Sequence, residues 1–110
     1  MAIDPQLRSA GVAAAGTTQA TAATVLFKHA LVTTVGAGSG VVLQEYFCSN
    51  NQAGTIFNGA SPLTGENLLI YPWSGATFNG QTADRPLSLP AGKGCMWVYL
   101  NSTTIGIIFS

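Results

Sequence analysis

Residues 66–100 read ENLLIYPWSGATFNGQTADRPLSLPAGKGCMWVYL, and the apolar runs in this stretch decide the fold class. LLIYPW, PLSLP and CMWVYL are each too short to show several turns of helical period. Gly, Asn, Asp and Pro separate them, as they separate β-strands. The spacing predicts a β-meander: strand LLIYPW, turn SGATFNGQTADR, short strand PLSLP, turn AGKG and strand CMWVYL. Asn79-Gly80 tolerates the positive φ of a tight type I′ hairpin, and Pro90-Ala91-Gly92 offers a second turn. Alternation along CMWVYL sets Cys95, Trp97 and Tyr99 on one face and Met96, Val98 and Leu100 on the other. Both faces are apolar. Such a strand either lies inside a sandwich whose second face is covered, or turns its outer face to another chain.

Composition narrows the class. The chain of 110 residues has room for one domain, which buries roughly two thirds of the surface exposed by its unfolded form. Charged residues make up 7% of the chain, against roughly 25% in ordinary soluble domains. The formal net charge is zero, a balance that favours association. An oligomer or a larger assembly is expected. No basic stripe is present to neutralise phosphates, so nucleic acid is not an expected partner. No apolar run approaches the roughly 20 residues of a membrane-spanning helix. AGVAAAG at residues 10–16 lacks the clustered positive charge that precedes a signal-peptide core. The expectation is a soluble protein made in the cytoplasm.

Outward from the central stretch, residues 1–16 read as an extended N-terminal arm and residues 17–110 as a β-sandwich domain. Strand alternation is absent from the arm, and Ile3, Leu7 and Val12 have no local apolar partner. The segment from Thr24 to Val35 is rich in Thr and β-branched residues, as strands are. It is expected to form one long strand or two short ones, with Val25, Phe27, His29 and Leu31 on one face. The glycine run from Gly36 to Gly40 fits neither a dinucleotide fingerprint nor a phosphate loop, and Ser39 is not in a nucleophile elbow. It reads as a turn. VVLQEYFCS, TIF with Asn58-Gly59 after it, and the loop ASPLTGEN lead into the central stretch. IGIIF closes the chain as a strand expected to be buried, with Phe109 inside. About seven or eight short strands with frequent turns indicate an all-β sandwich or jelly roll.

No catalytic constellation emerges. His29, on an apolar-patterned strand, reads as a core or interface residue. Cys48 and Cys95 form no C-x-x-C motif, and with one histidine they cannot complete a four-ligand zinc site. Two buried free thiols are expected in a reducing compartment, a disulfide being the alternative. Glu45, Glu66 and Asp84 form no spaced carboxylate pair. Asp84-Arg85 reads as a solvated turn, with an intersubunit ion pair as the alternative role for Arg85. Tyr46, Tyr71, Trp73, Trp97 and Tyr99 could stack on sugars if they surfaced together, but four of them fall in expected strands, where aromatics fill cores and interfaces. No enzyme activity, metal or cofactor is expected.

Four blocks in order carry a resemblance: TQATA from Thr18, GSGVVL from Gly38, LxIYPxSGATxNG from Leu68 and LxLPAGKG from Leu87. Together they resemble the small β-rich virion proteins of tailed bacteriophages, which serve as capsid decoration proteins, head fibres or domains of tail proteins. The similarity spans residues 16–110, with Gln44, Phe78 and Ile105 departing from the pattern as changes in packing. The resemblance implies a structural role: a capsid decoration (cement) protein, homotrimeric, on the outer surface of a bacteriophage head and bound to the major capsid protein. Ile3, Leu7, Arg8 and Val12 are then the expected capsid contacts, and Met96, Val98, Leu100 and Arg85 the expected oligomer interface. A tail fibre or receptor-binding module is the alternative.

Overall fold

The computed structural model describes residues 9–25, 29–36, 38–43, 53–61 and 65–109. Among the described residues there is no helix, and the strands are β1 (Ser9–Ala13), β2 (Ala23–Thr24), β3 (His29–Thr34), β4 (Gly40–Val42), β5 (Ala53–Asn58), β6 (Leu68–Tyr71), β7 (Thr77–Phe78), β8 (Leu87–Leu89), β9 (Gly94–Asn101) and β10 (Thr104–Phe109). They form a six-stranded sheet in the order β1-β3-β5-β9-β10-β7 and a four-stranded sheet in the order β2-β4-β6-β8. The protein is thus all-β, with one core between two mixed sheets.

From β1 to β6 the chain alternates between the sheets and winds as a coil. Ser9 lies beside His29 and His29 beside Thr55 in the first sheet, with both ladders parallel. Ala23 lies beside Val41 and Val41 beside Ile70 in the second, again in parallel. The last part of the chain reverses direction and closes the coil: β8 runs antiparallel to β6, β9 antiparallel to β5, and β10 antiparallel to β9. β7 then pairs in parallel with the start of β10. A jelly roll pairs its strands antiparallel; here five of the eight ladders among the described residues are parallel.

This winding corrects several expectations. Residues 66–100 are not a meander, because β8 and β9 belong to different sheets. The Pro90-Ala91-Gly92 turn does form, with Gly92 at φ 75° and Lys93 N–H bonded to the Pro90 carbonyl at 3.1 Å, but it carries the chain from one sheet to the other. Asn79 and Gly80 both take positive φ, 52° and 74°, and Gln81 N–H closes the turn on the Phe78 carbonyl at 2.9 Å. That turn joins no hairpin, since β7 pairs with β10. Thr24 to Val35 contributes two short strands, one to each sheet, so Val25 is fully buried while Leu31 is exposed on an outer face. The crossing between sheets defeats a common face for Val25, His29 and Leu31; Phe27 lies outside the described residues. Ile105 is buried in the last strand as expected and Ile108 is exposed; the side chain of Phe109, expected inside, lies outside the described residues. Within the stretch read as an arm, Ser9–Ala13 is an edge strand of the first sheet. Backbone pairing with β3 holds it there.

The core is made by inward positions of both sheets, with Trp97, Ile56, Val32 and Ile105 from one and Leu68, Ile70, Val41 and Leu89 from the other. Among the described residues one polar side chain is fully buried, that of Asn58 at the end of β5. Its Nδ2 donates to the carbonyls of Glu66 and Leu89, each at 3.0 Å, and its Oδ1 accepts from Ala60 N–H at 3.0 Å. Its backbone N–H donates to the Lys93 carbonyl, and its carbonyl accepts from Gly92 N–H, both at 2.9 Å. Asn58 therefore ties the end of the six-stranded sheet to β8 of the other sheet and to the turn between them. Asn58→Ala leaves the buried Leu89 carbonyl and the part-buried Glu66 carbonyl and Ala60 N–H without this partner, an expected loss of about 2 to 3 kcal/mol in urea unfolding. A loss below about 1 kcal/mol would show that water replaces the amide without penalty.

Candidate functional site

The two sheets differ in how their outer faces are covered. In the four-stranded sheet, Leu69 and Tyr71 alternate with the core residues Leu68 and Ile70 and so face away from the core. Tyr71 is buried nonetheless. Its hydroxyl donates to the Thr17 carbonyl at 3.2 Å, and Ala15 and Gly40 exchange backbone bonds at 3.1 and 3.3 Å, so the segment before β2 lies over this face. Gly40 permits the approach, since a Cβ there would sit 2.8 Å from the Tyr71 ring.

A polar latch extends the same cover. Gln19 Nε2 donates to the Pro72 carbonyl at 2.7 Å and to Asp84 Oδ1 at 3.1 Å, while Gly75 N–H donates to the same oxygen at 2.6 Å. These bonds, that from Gly75 first and that from Gln19 second, hold the Asp84 carboxyl below its ordinary value. Asp84 has φ 63°, a backbone state that Asp tolerates better than most residues.

Among the described residues, the outer face of the six-stranded sheet has no comparable cover. Leu31 in β3 stands beside Phe57 in β5, and Thr55 in β5 stands beside Met96 in β9, which stands beside Ile108 in β10. The large apolar side chains here are exposed: Leu31 by 43%, Phe57 by 46%, Met96 by 38%, Leu100 by 55% and Ile108 by 54%. Gly94 opposite Phe57 leaves a gap, and a cavity of about 340 Å³ opens there, lined also by Thr55, Met96 and Ile108. His29 at one end bonds through Nδ1 to Thr55 Oγ1 at 3.0 Å. The strands supply no Lys, Arg, Asp or Glu to this face. Exposed apolar side chains running across β3, β5, β9 and β10 make this face the candidate site.

Of the residues singled out from sequence, Met96, Val98 and Leu100 lie together on this face, in alternation with buried Cys95 and Trp97. Arg85 does not join them; it lines a separate groove with Gln81, Leu87 and Ile107. Val12 is in β1, in register with Val32. Ile3, Leu7 and Arg8 lie outside the described residues, as do Tyr46 and Cys48. Sequence reasoning missed Leu31, Phe57 and Ile108. The alternation in AGTIFN, with Ile56 inward and Phe57 outward, was the signal for one of them.

The described aromatics do not form a platform. Trp97 is fully buried, and its Nε1 has no hydrogen-bond partner. Trp73 is buried, donates from Nε1 to the Ser102 carbonyl at 3.0 Å and stacks on Tyr99 with centroids 6.2 Å apart. Cys95 is a buried free thiol whose pKa burial pushes up to about 11. Among the described residues, no three His, Cys, Asp or Glu side chains gather as metal ligands. No family model matches the sequence, and no curated protein or solved structure matches it either.

The Asp84 latch makes a pH prediction. A carboxyl whose folded value is depressed adds stability above its unfolded value, near ~3.9, and loses it as pH falls through the folded value. Wild type should melt above Asp84→Asn at pH 5, and the difference should shrink as pH drops below about 4. A difference that stays constant down to pH 2 would assign the effect to shape rather than charge.

Proposed function

We propose that this chain is a structural protein of a tailed-bacteriophage virion, a decoration (cement) protein on the outer surface of the head. The observation that carries the reading is the bare apolar face centred on Met96. A free monomer with so few charges would hold that face in water, whereas a subunit of an assembly buries it. The resemblance of the TQATA, GSGVVL, LxIYPxSGATxNG and LxLPAGKG blocks to phage virion proteins supports the same conclusion.

In this reading the domain is a small β-sandwich with an extended N-terminal segment, and it works as a homotrimer. Met96, Val98 and Leu100, with Leu31, Phe57 and Ile108 beside them, meet the neighbouring subunit. Ile3, Leu7, Arg8 and Val12 contact the major capsid protein. The mechanism is binding and not catalysis, with no cofactor, nucleic acid or membrane involved. Apolar burial contributes roughly 25 cal/mol per Å² at each contact. Repetition over the lattice then turns modest contacts into firm attachment, because each bound subunit raises the effective concentration of the next.

Two measurements check this. Virions separated into heads and tails should carry the chain in the head fraction, in numbers comparable to the major capsid protein. A few copies confined to tails would replace the proposal with a fibre or host-adhesion role. In solution, light scattering at micromolar concentration should give a trimer, and Met96→Asp should weaken association by about tenfold or more. A wild-type chain that stays monomeric contradicts the trimer.

A further inference from the structure

The tripeptide Phe-Asn-Gly occurs twice in the chain, at residues 57–59 and 78–80. An Asn-Gly pair can react with itself, because a glycine without Cβ lets its backbone nitrogen approach the side-chain Cγ of the residue before it. The nitrogen gives up its proton and bonds to Cγ, the side-chain amide nitrogen takes up a proton and leaves as ammonia, and a succinimide ring closes. Water then opens the ring at either carbonyl and leaves aspartate or isoaspartate. Water is the one co-reactant. Since both asparagines stand between Phe and Gly, local sequence gives them the same intrinsic reactivity, and the fold decides between them.

It treats them in opposite ways. Asn58 is fully buried, and its amide is held by the carbonyls of Glu66 and Leu89 and by Ala60 N–H. The attacking group is engaged as well, since Gly59 N–H donates to the Val32 carbonyl at 2.8 Å. Reaction there waits on an opening of the core. Asn79 and Gly80 are exposed, and a Cβ built on Gly80 would meet nothing within 4 Å. The bond from Gln81 N–H to the Phe78 carbonyl must give for the ring to close, and it lies in this exposed turn rather than in the core. Ile107 N–H donates to Asn79 Oδ1 at 2.9 Å. That donor draws charge onto the oxygen and so stabilises the oxyanion that forms as Gly80 adds to Cγ.

We propose that Asn79 is a site of spontaneous deamidation, and that its isoaspartyl product loosens the end of the six-stranded sheet. Asn79 continues the pairing of β7 with β10: its N–H donates to the Ile105 carbonyl at 2.8 Å, and its side chain takes the Ile107 N–H. An aspartate keeps an oxygen where the amide oxygen stood, so the bond from Ile107 survives. In an isoaspartate the main chain runs through Cβ and Cγ. That oxygen then belongs to the new peptide bond, the turn is longer by one carbon, and Ile107 N–H loses its acceptor. Either product brings a negative charge to the groove of about 250 Å³ that Asn79 lines with Arg85 and Leu87, and moves the formal net charge off zero.

Ageing the full chain in mildly alkaline buffer, with a parallel sample in urea, and mapping its peptides by mass spectrometry tests this. In the folded chain Asn79 should convert about tenfold or more faster than Asn58, which reacts only through local opening. In urea the two should convert at similar rates. Equal conversion in the folded chain, or an Asn79 that converts in urea and stays intact when folded, would overturn the site. Hydrogen exchange then compares the isoaspartyl fraction with Asn79→Asp. Ile107 N–H should exchange about tenfold or more faster in the isoaspartyl fraction, while Gly59 N–H stays protected in both. Equal exchange at Ile107, or loss of protection at Gly59 as well, would overturn the local loosening.

Discussion

The buried amide of Asn58 is the constraint from which the rest of the architecture follows. It sits where β5 ends, and it bonds to the carbonyl of Leu89 in the other sheet and to the loop at Glu66 and Ala60. A buried primary amide has only two N–H donors and one carbonyl, and here all are used. The corner from Pro90 to Lys93 is held against the same residue through its backbone. With that corner fixed, β9 must run back along β5 with Gly94 opposite Phe57. That register sends Trp97 and Cys95 into the core and Met96 to the outside. A slip of one residue would invert both sets.

The two outer faces then have different fates. The segment before β2 folds over the four-stranded sheet and is latched there by Tyr71, Gln19 and Asp84. Among the described residues the six-stranded sheet receives no such cover, and its centre strands carry Phe57, Met96 and Ile108 outward. β7, among the described residues, pairs with only the start of β10, near the groove that Arg85 lines. The outer face of one sheet is thus covered, among the described residues, by the chain's own segment while that of the other is open. This asymmetry is what the proposed assembly accounts for: one surface is completed by the chain itself and the other by copies of it.

The local elements were legible in the sequence because they depend on local chemistry. Alternation in CMWVYL separated Trp97 from Met96 correctly, and the two turns form where Asn79, Gly80 and Gly92 take a positive φ that few other residues adopt. Topology was not legible. Parallel pairing between strands far apart in sequence leaves no local mark, and β2 and β7 are two residues each, too short for any periodic signal. Asn58 before Gly59 looks like the turn pair Asn79-Gly80, yet its side chain is spent on long-range bonds that only the folded chain creates. The apolar site was partly visible through Met96, Val98 and Leu100. Leu31 was hidden because the chain changes sheets between Val25 and His29, which resets the alternation counted from one strand to the next.

The central claim is that the outer face of the six-stranded sheet is covered in the working protein. Hydroxyl-radical footprinting of the chain in intact virions, compared with the purified chain diluted until it dissociates, tests that claim most directly. The account predicts that Met96, Phe57 and Leu31 are oxidised readily in the dilute chain and protected in the virion, while buried Trp97 is protected in both. Equal oxidation of Met96 and Phe57 in the two states would contradict it.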